Sequence, residues 1–284
     1  MALARGCSVT VVTRGQRSVP PGVEVVTVDR NERDQFEKKI TELRIDWDLV
    51  VDAIAYQAED AMQDLRVFSG LAKRLVLIST DFVYDPLLRK NPQSEQDAAY
   101  LTDGYGGRKR EAELILEHAG KDALPWTILR PSHIYGPGSL FGCLPLHGRD
   151  PELITHILAE RPLRLVGGGD FLQHPIFAPD LAETILEVAT APKAAGRIFN
   201  VAGPEILKSS GYYRQLGSLL DRDITIEDVP LAGYLAAHPD KAPFCCNRVY
   251  DLSALRDAGI KLPSTSLRSG LAQQLESILG ASNA

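Results

Sequence analysis

Tyr105 and Lys109 stand four residues apart in Tyr105-Gly-Gly-Arg-Lys109, the spacing that puts two side chains on one face of a helix about one turn apart. An unperturbed phenol titrates near ~10, and an adjacent ammonium favours its ionised form. The pair therefore predicts a tyrosine that trades protons with a hydroxyl or carbonyl near neutrality. Thr80 offers a third group, a hydroxyl that both donates and accepts. It ends the apolar run Leu75-Val-Leu-Ile-Ser-Thr80, at the C-terminal end of a strand, where open α/β sheets bind their ligands. By itself Tyr-x-x-x-Lys is common on solvated helix faces, so the elements around it decide its meaning.

Those elements alternate. Ser8–Thr13 reads as a strand from its β-branched residues, entered from Met1–Gly6, which reads as the last turn of a helix closed by glycine. Val23–Val28 is the next strand, and Asn31 is expected to cap a helix running to about Arg44. Trp47–Ala53 has the continuous apolar centre of a covered parallel strand. A helix over about 58–71, the Leu75 strand, a polar loop from Tyr84 to Gly104, a helix over 105–119 and the strand Trp126–Leu129 follow. The loop is long enough to lie over a site and hold substrate. After Gly138 the pattern is less regular: a helix near 151–160, the strand Leu163–Val166, a turn at Gly167–Asp170, a helix from Pro179, the strand Arg197–Val201, and helices near 206–220 and 264–279. The division is a dinucleotide-binding region over 1–138 and a mixed segment over 139–284 that builds a small lobe and returns elements to the main sheet.

Three blocks, Ser79-Thr-Asp-Phe-Val-Tyr84, Tyr105-Gly-Gly-Arg-Lys109 and Leu129-Arg-Pro-Ser-His-Ile-Tyr-Gly-Pro-Gly138, together resemble the extended short-chain dehydrogenase/reductase family, the nucleotide-sugar epimerases, dehydratases and reductases. The resemblance runs from about residue 2 to about residue 270 and extends to atypical members described broadly as NAD-dependent epimerase/dehydratase. It implies a Rossmann-like, doubly wound parallel α/β sheet with a small C-terminal substrate lobe, and hydride transfer between NAD(P) and a carbinol carbon of a sugar-like substrate. Tyr105 would shuttle the proton, Lys109 would lower its pKa and bind the nicotinamide ribose, and Thr80 would hold the reacting oxygen. Asp29 and Arg30 are placed as the family places residues beside the adenine, and Pro131 and His133 lie in the turn that packs beside the nicotinamide. Ala53 and Ala55 would let the backbone approach the dinucleotide, or simply pack a helix closely on a strand. Arg14 stands after the first strand where an acidic residue would bind the ribose of NAD; facing a 2′-phosphate it tilts the cofactor to NADP, and as an exposed turn residue it says nothing.

The departures from the pattern matter as much. No Gly-x-x-Gly-x-x-Gly is present, so the first strand and the glycine turn that admits a pyrophosphate at a helix N-terminus are expected to be missing. The sequence reads as an N-terminally truncated member, and a non-catalytic binding or scaffold protein of the same fold is the alternative. Phe82 stands where sugar dehydratases carry glutamate, which disfavours 4,6-dehydration. Gln173 stands where many relatives hold the substrate diphosphate with arginine, and a neutral amide lacks the charge and the forked geometry for that anion.

A net charge of −6 and a pI near 5.6, with no block of basic residues, predict small-molecule rather than nucleic-acid or membrane partners. Cysteines 7, 143, 245 and 246 have no Cys-x-x-Cys spacing, which predicts free thiols, no metal site and a cytoplasmic protein. The resemblance further implies a homodimer seam that includes the Tyr105 helix.

Overall fold

The computed structural model describes residues 1–120 and 122–281. Two valine-rich segments, β1 (Val9–Thr13) and β2 (Val23–Thr27), pair in parallel with Val9 opposite Val23. The chain continues through α1 (Arg33–Glu42), β3 (Val50–Asp52), α2 (Ala58–Phe68), β4 (Leu75–Ile78), α3 (Gly104–Glu117) and β5 (Trp126–Pro131). Next come β6 (Ile134–Tyr135), α4 (Leu153–Leu158), β7 (Leu163–Val166), β8 (Leu172–Gln173), β9 (Ile176–Phe177), α5 (Ala178–Thr190) and β10 (Arg197–Val201). The last elements are β11 (Leu207–Lys208), α6 (Ser209–Leu219), β12 (Ile226–Val229), α7 (Leu231–Ala237), α8 (Ser253–Asp257) and α9 (Leu267–Ala281).

The main sheet has the order β10-β5-β4-β3, and every pair in it is parallel. Parallel strands are covered on both faces, and the core divides accordingly. Phe36 and Ile40 of α1, Val67 and Phe68 of α2 and Leu116 of α3 pack with Leu75, Leu77 and Ile128 on one side. Leu181 and Val188 of α5 and Leu255 of α8 pack with Val76, Leu129 and Phe199 on the other. This is the doubly wound α/β arrangement the sequence predicts. A further cluster, from Tyr135 and Phe141 through Tyr212 and Tyr213 to Leu271 and Leu275, lies in the later segments.

The ladder is interrupted between the β1/β2 pair and β3. Val12 and Val26 share an apolar cluster with Val50, yet no ladder joins β1 to β3. The 3-10 turn Leu3–Arg5 closes on Gly6 in the left-handed region, and the Arg5 guanidinium pairs with Glu183 of α5.

Some predicted boundaries move, for local reasons. Helix α1 begins at Arg33 with no side-chain cap, because Asn31 donates its backbone N–H and its side-chain amide to the Asp29 carboxylate at 2.9 and 3.0 Å. Trp47 forms only a single bridge to Ala72, so the third strand is shorter than its apolar run. Strand β12, which pairs in parallel with β7, and helix α7 are not among the predicted elements.

One buried ion pair fastens α3 to the sheet. Arg130 of β5 and Glu113 of α3 are both fully buried, and Nε and Nη2 of the arginine donate to the two carboxylate oxygens at 2.9 and 2.7 Å. Ser79 donates to the same carboxylate, while Nη1 of Arg130 donates to the Tyr84 hydroxyl at 3.0 Å. Removing one partner of such a pair strands the other charge in a dry interior, at a cost of about 3–5 kcal/mol. Glu113→Ala is therefore expected to lower the unfolding free energy measured in urea by about that much; a loss under ~1 kcal/mol would mean that Arg130 finds another partner.

Candidate active site

Strand β4 delivers Ser79 and Thr80 to the C-terminal end of the sheet, and α3 starts beside them with Tyr105 in its first turn. The approach is close because residue 106 is glycine: a Cβ there would lie 2.1 Å from the Phe82 carbonyl oxygen. The glycines between Tyr105 and Lys109 thus bring the tyrosine down onto the Thr80 turn, a signal in the sequence that the spacing of Tyr and Lys alone does not carry. Thr80 hydrogen-bonds the Tyr105 phenol and also accepts the Phe82 N–H at 3.2 Å.

Lys109 is brought into the same cluster but faces elsewhere. Only 1% exposed, it donates to the Ala55 carbonyl at the end of β3 and to the Ile78 carbonyl of β4, both at 2.7 Å. The Tyr56 ring covers it, with its centroid 5.7 Å from Nζ and 6.4 Å from the Tyr105 ring. Burial pulls this amine down to about 8, against the opposing pull of Asp52, Glu113 and Asp60. The predicted acidified phenol is therefore corrected. Burial raises the Tyr105 pKa above the ordinary phenol value, and the influence that most opposes it is the Thr80 hydrogen bond. A phenol in that state holds its proton at neutral pH and is equipped to donate it.

The residues proposed for a dinucleotide are less of one piece. Ala55 is buried under Lys109, whereas Ala53 is exposed. Arg14 is exposed just beyond β1. The Asp29 side chain is engaged with Asn31. Arg30 is turned inward rather than towards a ligand: 9% exposed, it pairs with Asp52, Asp60 and Asp64. Pro131 ends β5 opposite Val201. His133 follows in the next turn, driven down to about 4 by burial, then by Arg149. Of Thr80, Tyr105, Lys109 and Ala55, Tyr105 is 44% exposed, while Thr80, Lys109 and Ala55 are buried. Among the described residues no glycine-rich turn leads from a parallel strand into an α-helix N-terminus.

Sequence reasoning passed over a second cluster beside the first. Asp81 accepts from Arg248 Nη1 at 2.5 Å and from the Tyr250 hydroxyl, while Arg89 donates to the Asp81 carbonyl at 2.9 Å and to the Tyr250 hydroxyl at 2.7 Å. Burial alone would raise the Asp81 carboxyl, but Arg248 and Arg89 outweigh it and hold it below its usual value. Arg248 also lies 4.3 Å over the Phe82 ring, which meets Phe244 at 5.4 Å and Tyr105 at 6.3 Å. Arg89 and Arg248 come from irregular segments whose closure over Asp81 has no sequence period. Among the described residues no group of three or more His, Cys, Asp or Glu could hold a metal ion, and no helix is long and apolar enough to cross a membrane.

With that geometry in view, the chain matches the model of the NAD dependent epimerase/dehydratase family over residues 1–202, and it belongs to that family. It is 27% identical over 225 residues to the chloroplast stem-loop binding protein of 41 kDa b of Arabidopsis thaliana, covering 72% of this chain and 55% of that protein. It is 28% identical over 185 residues to UDP-D-apiose/UDP-D-xylose synthase 2 of the same plant, covering 54% of this chain and 47% of that one. The chain thus spans about half the length of these curated relatives. The UDP-glucose 4-epimerase of Thermotoga maritima, solved with UDP-glucose, superposes with a TM-score of 0.75 at 17% identity over 99% of this chain and 93% of that one. At that identity the match speaks for the fold.

The titration of Tyr105 tests the site geometry. Followed by NMR of ring-labelled tyrosine, its midpoint is expected above the ordinary phenol value, higher still in Thr80→Ala, and less moved in Lys109→Met. A midpoint below the ordinary value that rises on loss of Lys109 would mean that the ammonium does reach the phenol.

Proposed function

We propose that this chain carries the substrate and proton-transfer half of an NAD(P)-dependent epimerase or reductase acting on a sugar-like substrate. The observation that supports it most is the contact of a proton-bearing phenol, Tyr105, with the Thr80 hydroxyl at the C-terminal ends of the parallel strands, with Lys109 buried beneath them. A bound nicotinamide would supply or accept the hydride. Thr80 holds the oxygen of the reacting carbon, Tyr105 donates its proton to that oxygen or recovers it, and Lys109 lies where ribose hydroxyls could draw it from the two carbonyls. Arg14, exposed past β1 with no acidic neighbour before Gly15, favours NADP over NAD. The small lobe assembled within 139–284 would close over the sugar, and a homodimer through α3 would be its assembly.

A second reading has its own support. With no glycine-rich strand-to-helix turn among the described residues and the ladder broken between β1 and β3, the fold could serve as a binding or scaffold protein without turnover. The similarity to a stem-loop binding protein belongs with that reading, although the net charge of −6 opposes a salt-dependent hold on phosphates.

Binding of NADPH and NADH, followed by nicotinamide fluorescence, separates the two. It is measured on this chain and on a form carrying a family-type strand and glycine turn grafted ahead of Met1. The enzyme reading expects the grafted form to bind NADPH more tightly than NADH, and Arg14→Ala to erase that preference. If neither form binds a dinucleotide, the enzyme reading is lost.

A further inference from the structure

Cys245 and Cys246 are adjacent in the chain and partly buried, with free thiols, and the proton-transfer cluster does not use them. They end an outlying stretch. Helix α7 and the 3-10 turn Pro239–Phe244 contain no fully buried residue. Just beyond the two thiols the chain rejoins β8: the Asn247 side chain accepts the Leu172 N–H at 2.9 Å, and Arg248 donates its backbone N–H to the Leu172 carbonyl at 2.8 Å.

Short contacts tie the pair to the reacting groups from both sides. On the N-terminal side the Phe244 ring meets Phe82 at 5.4 Å, and Phe82 meets Tyr105 at 6.3 Å. On the C-terminal side Arg248 donates to Asp81, the residue after Thr80, at 2.5 Å and lies 4.3 Å over the same Phe82 ring. The Pro243 carbonyl joins the two sides, accepting the Cys246 thiol at 3.7 Å and Nη2 of Arg248 at 3.0 Å. Burial, and after it the Cys246 sulfur, raises the Cys245 pKa, so the two sulfurs are neighbours in space as well as in sequence.

Two thiols in this relation can close on one another, and closure cannot leave the backbone as it is. Consecutive Cα atoms lie about 3.8 Å apart across a trans peptide, whereas an ordinary disulfide spans about 4.4–6.8 Å. The eight-membered ring of an adjacent pair therefore has to turn the 245–246 peptide. Strain of that kind makes a disulfide easy to reduce again, the property of regulatory rather than structural bridges. Closure also takes the Cys246 thiol hydrogen away from the Pro243 carbonyl, which Arg248 shares.

We propose that Cys245 and Cys246 form a thiol-modification site, which a low-molecular-weight disulfide of the glutathione type converts to a vicinal disulfide, and that the turn this imposes shifts Phe244 on Phe82 beside Tyr105. One thiolate of the pair attacks oxidised glutathione, forming a mixed disulfide and expelling a glutathione thiolate. The second thiolate attacks the protein sulfur of that bond and expels the other glutathione. The two cysteines lose two protons and two electrons, and one oxidised glutathione becomes two reduced ones. No dinucleotide takes part, so the site stands apart from the hydride reading.

The test uses the full chain carrying Cys7→Ser, which removes the exposed thiol near the other end, treated with oxidised glutathione and digested with trypsin. The peptide Ala242–Arg248 is expected to be lighter by two hydrogens and free of glutathione. Cys245→Ser and Cys246→Ser should instead each retain glutathione on the remaining thiol. In the intact oxidised chain the ring resonances of labelled Tyr105, assigned with Tyr105→Phe, should move and then return on reduction with dithiothreitol. Glutathione persisting on the unsubstituted pair, an unmodified peptide, or Tyr105 resonances that ignore full oxidation would each overturn the proposal.

Discussion

The arrangement depends on one buried ammonium. Lys109 leaves α3, passes beneath Tyr56 and ends between the Ala55 and Ile78 carbonyls, joining the helix to the ends of two adjacent strands. Removing a charge from water costs several kcal/mol unless dipoles replace the water. Two carbonyls at 2.7 Å, with Asp52, Asp60 and Glu113 in the surroundings, supply that replacement in part. The remaining deficit is the downward pull on the amine. Any shift of α3 along the sheet would break both contacts, so the register that sets Tyr105 against Thr80 is fixed from below.

A second network holds the carbonyl that Lys109 needs. Asp52 accepts the N–H groups of Ile54 and Ala55 at 2.7 and 2.8 Å, and Asp60 accepts that of Tyr56 at 2.9 Å. Arg30 ties the two aspartates to Asp64. Three carboxylates around this guanidinium cannot all ionise comfortably: burial, with the charge of Asp52, pushes Asp64 well above its usual value, while Asp52 is held down. The 53–57 turn itself is held by Asp52 and Asp60, which accept its N–H groups. Arg30 thus shapes the site from behind.

The sequence revealed most where a periodic pattern meets a covered sheet. β7 and β10 fall on their predicted residues, and α2, α3 and α5 lie within a few residues of prediction, because strand and helix periods are local properties of the chain. The co-location of Thr80, Tyr105 and Lys109 was legible for the same reason, spacing on one helix and position at one strand end. The direction in which Lys109 points was not, since it depends on carbonyls 54 and 31 residues away. Arg89 and Arg248 stayed hidden too: they sit in irregular segments, and an arginine in a loop looks the same in sequence whether it is solvated or paired beside a site. Arg30 was misread because a residue after a strand can turn to a ligand or to the core, and only the acids of α2 decide which.

The proton-transfer groups are assembled by α3 and the main sheet, and the β1/β2 pair reaches them through Arg30, which follows β2 and pairs with Asp52 and Asp60. The most direct test is the titration of the Lys109 amine itself, observed by NMR of isotope-labelled lysine and assigned with Lys109→Met. A midpoint near 8, well below the other lysines, is what an ammonium buried between the Ala55 and Ile78 carbonyls requires. A midpoint at the ordinary lysine value of about 10.4 would mean that the side chain reaches water, and the tie between α3 and the two strands would not exist.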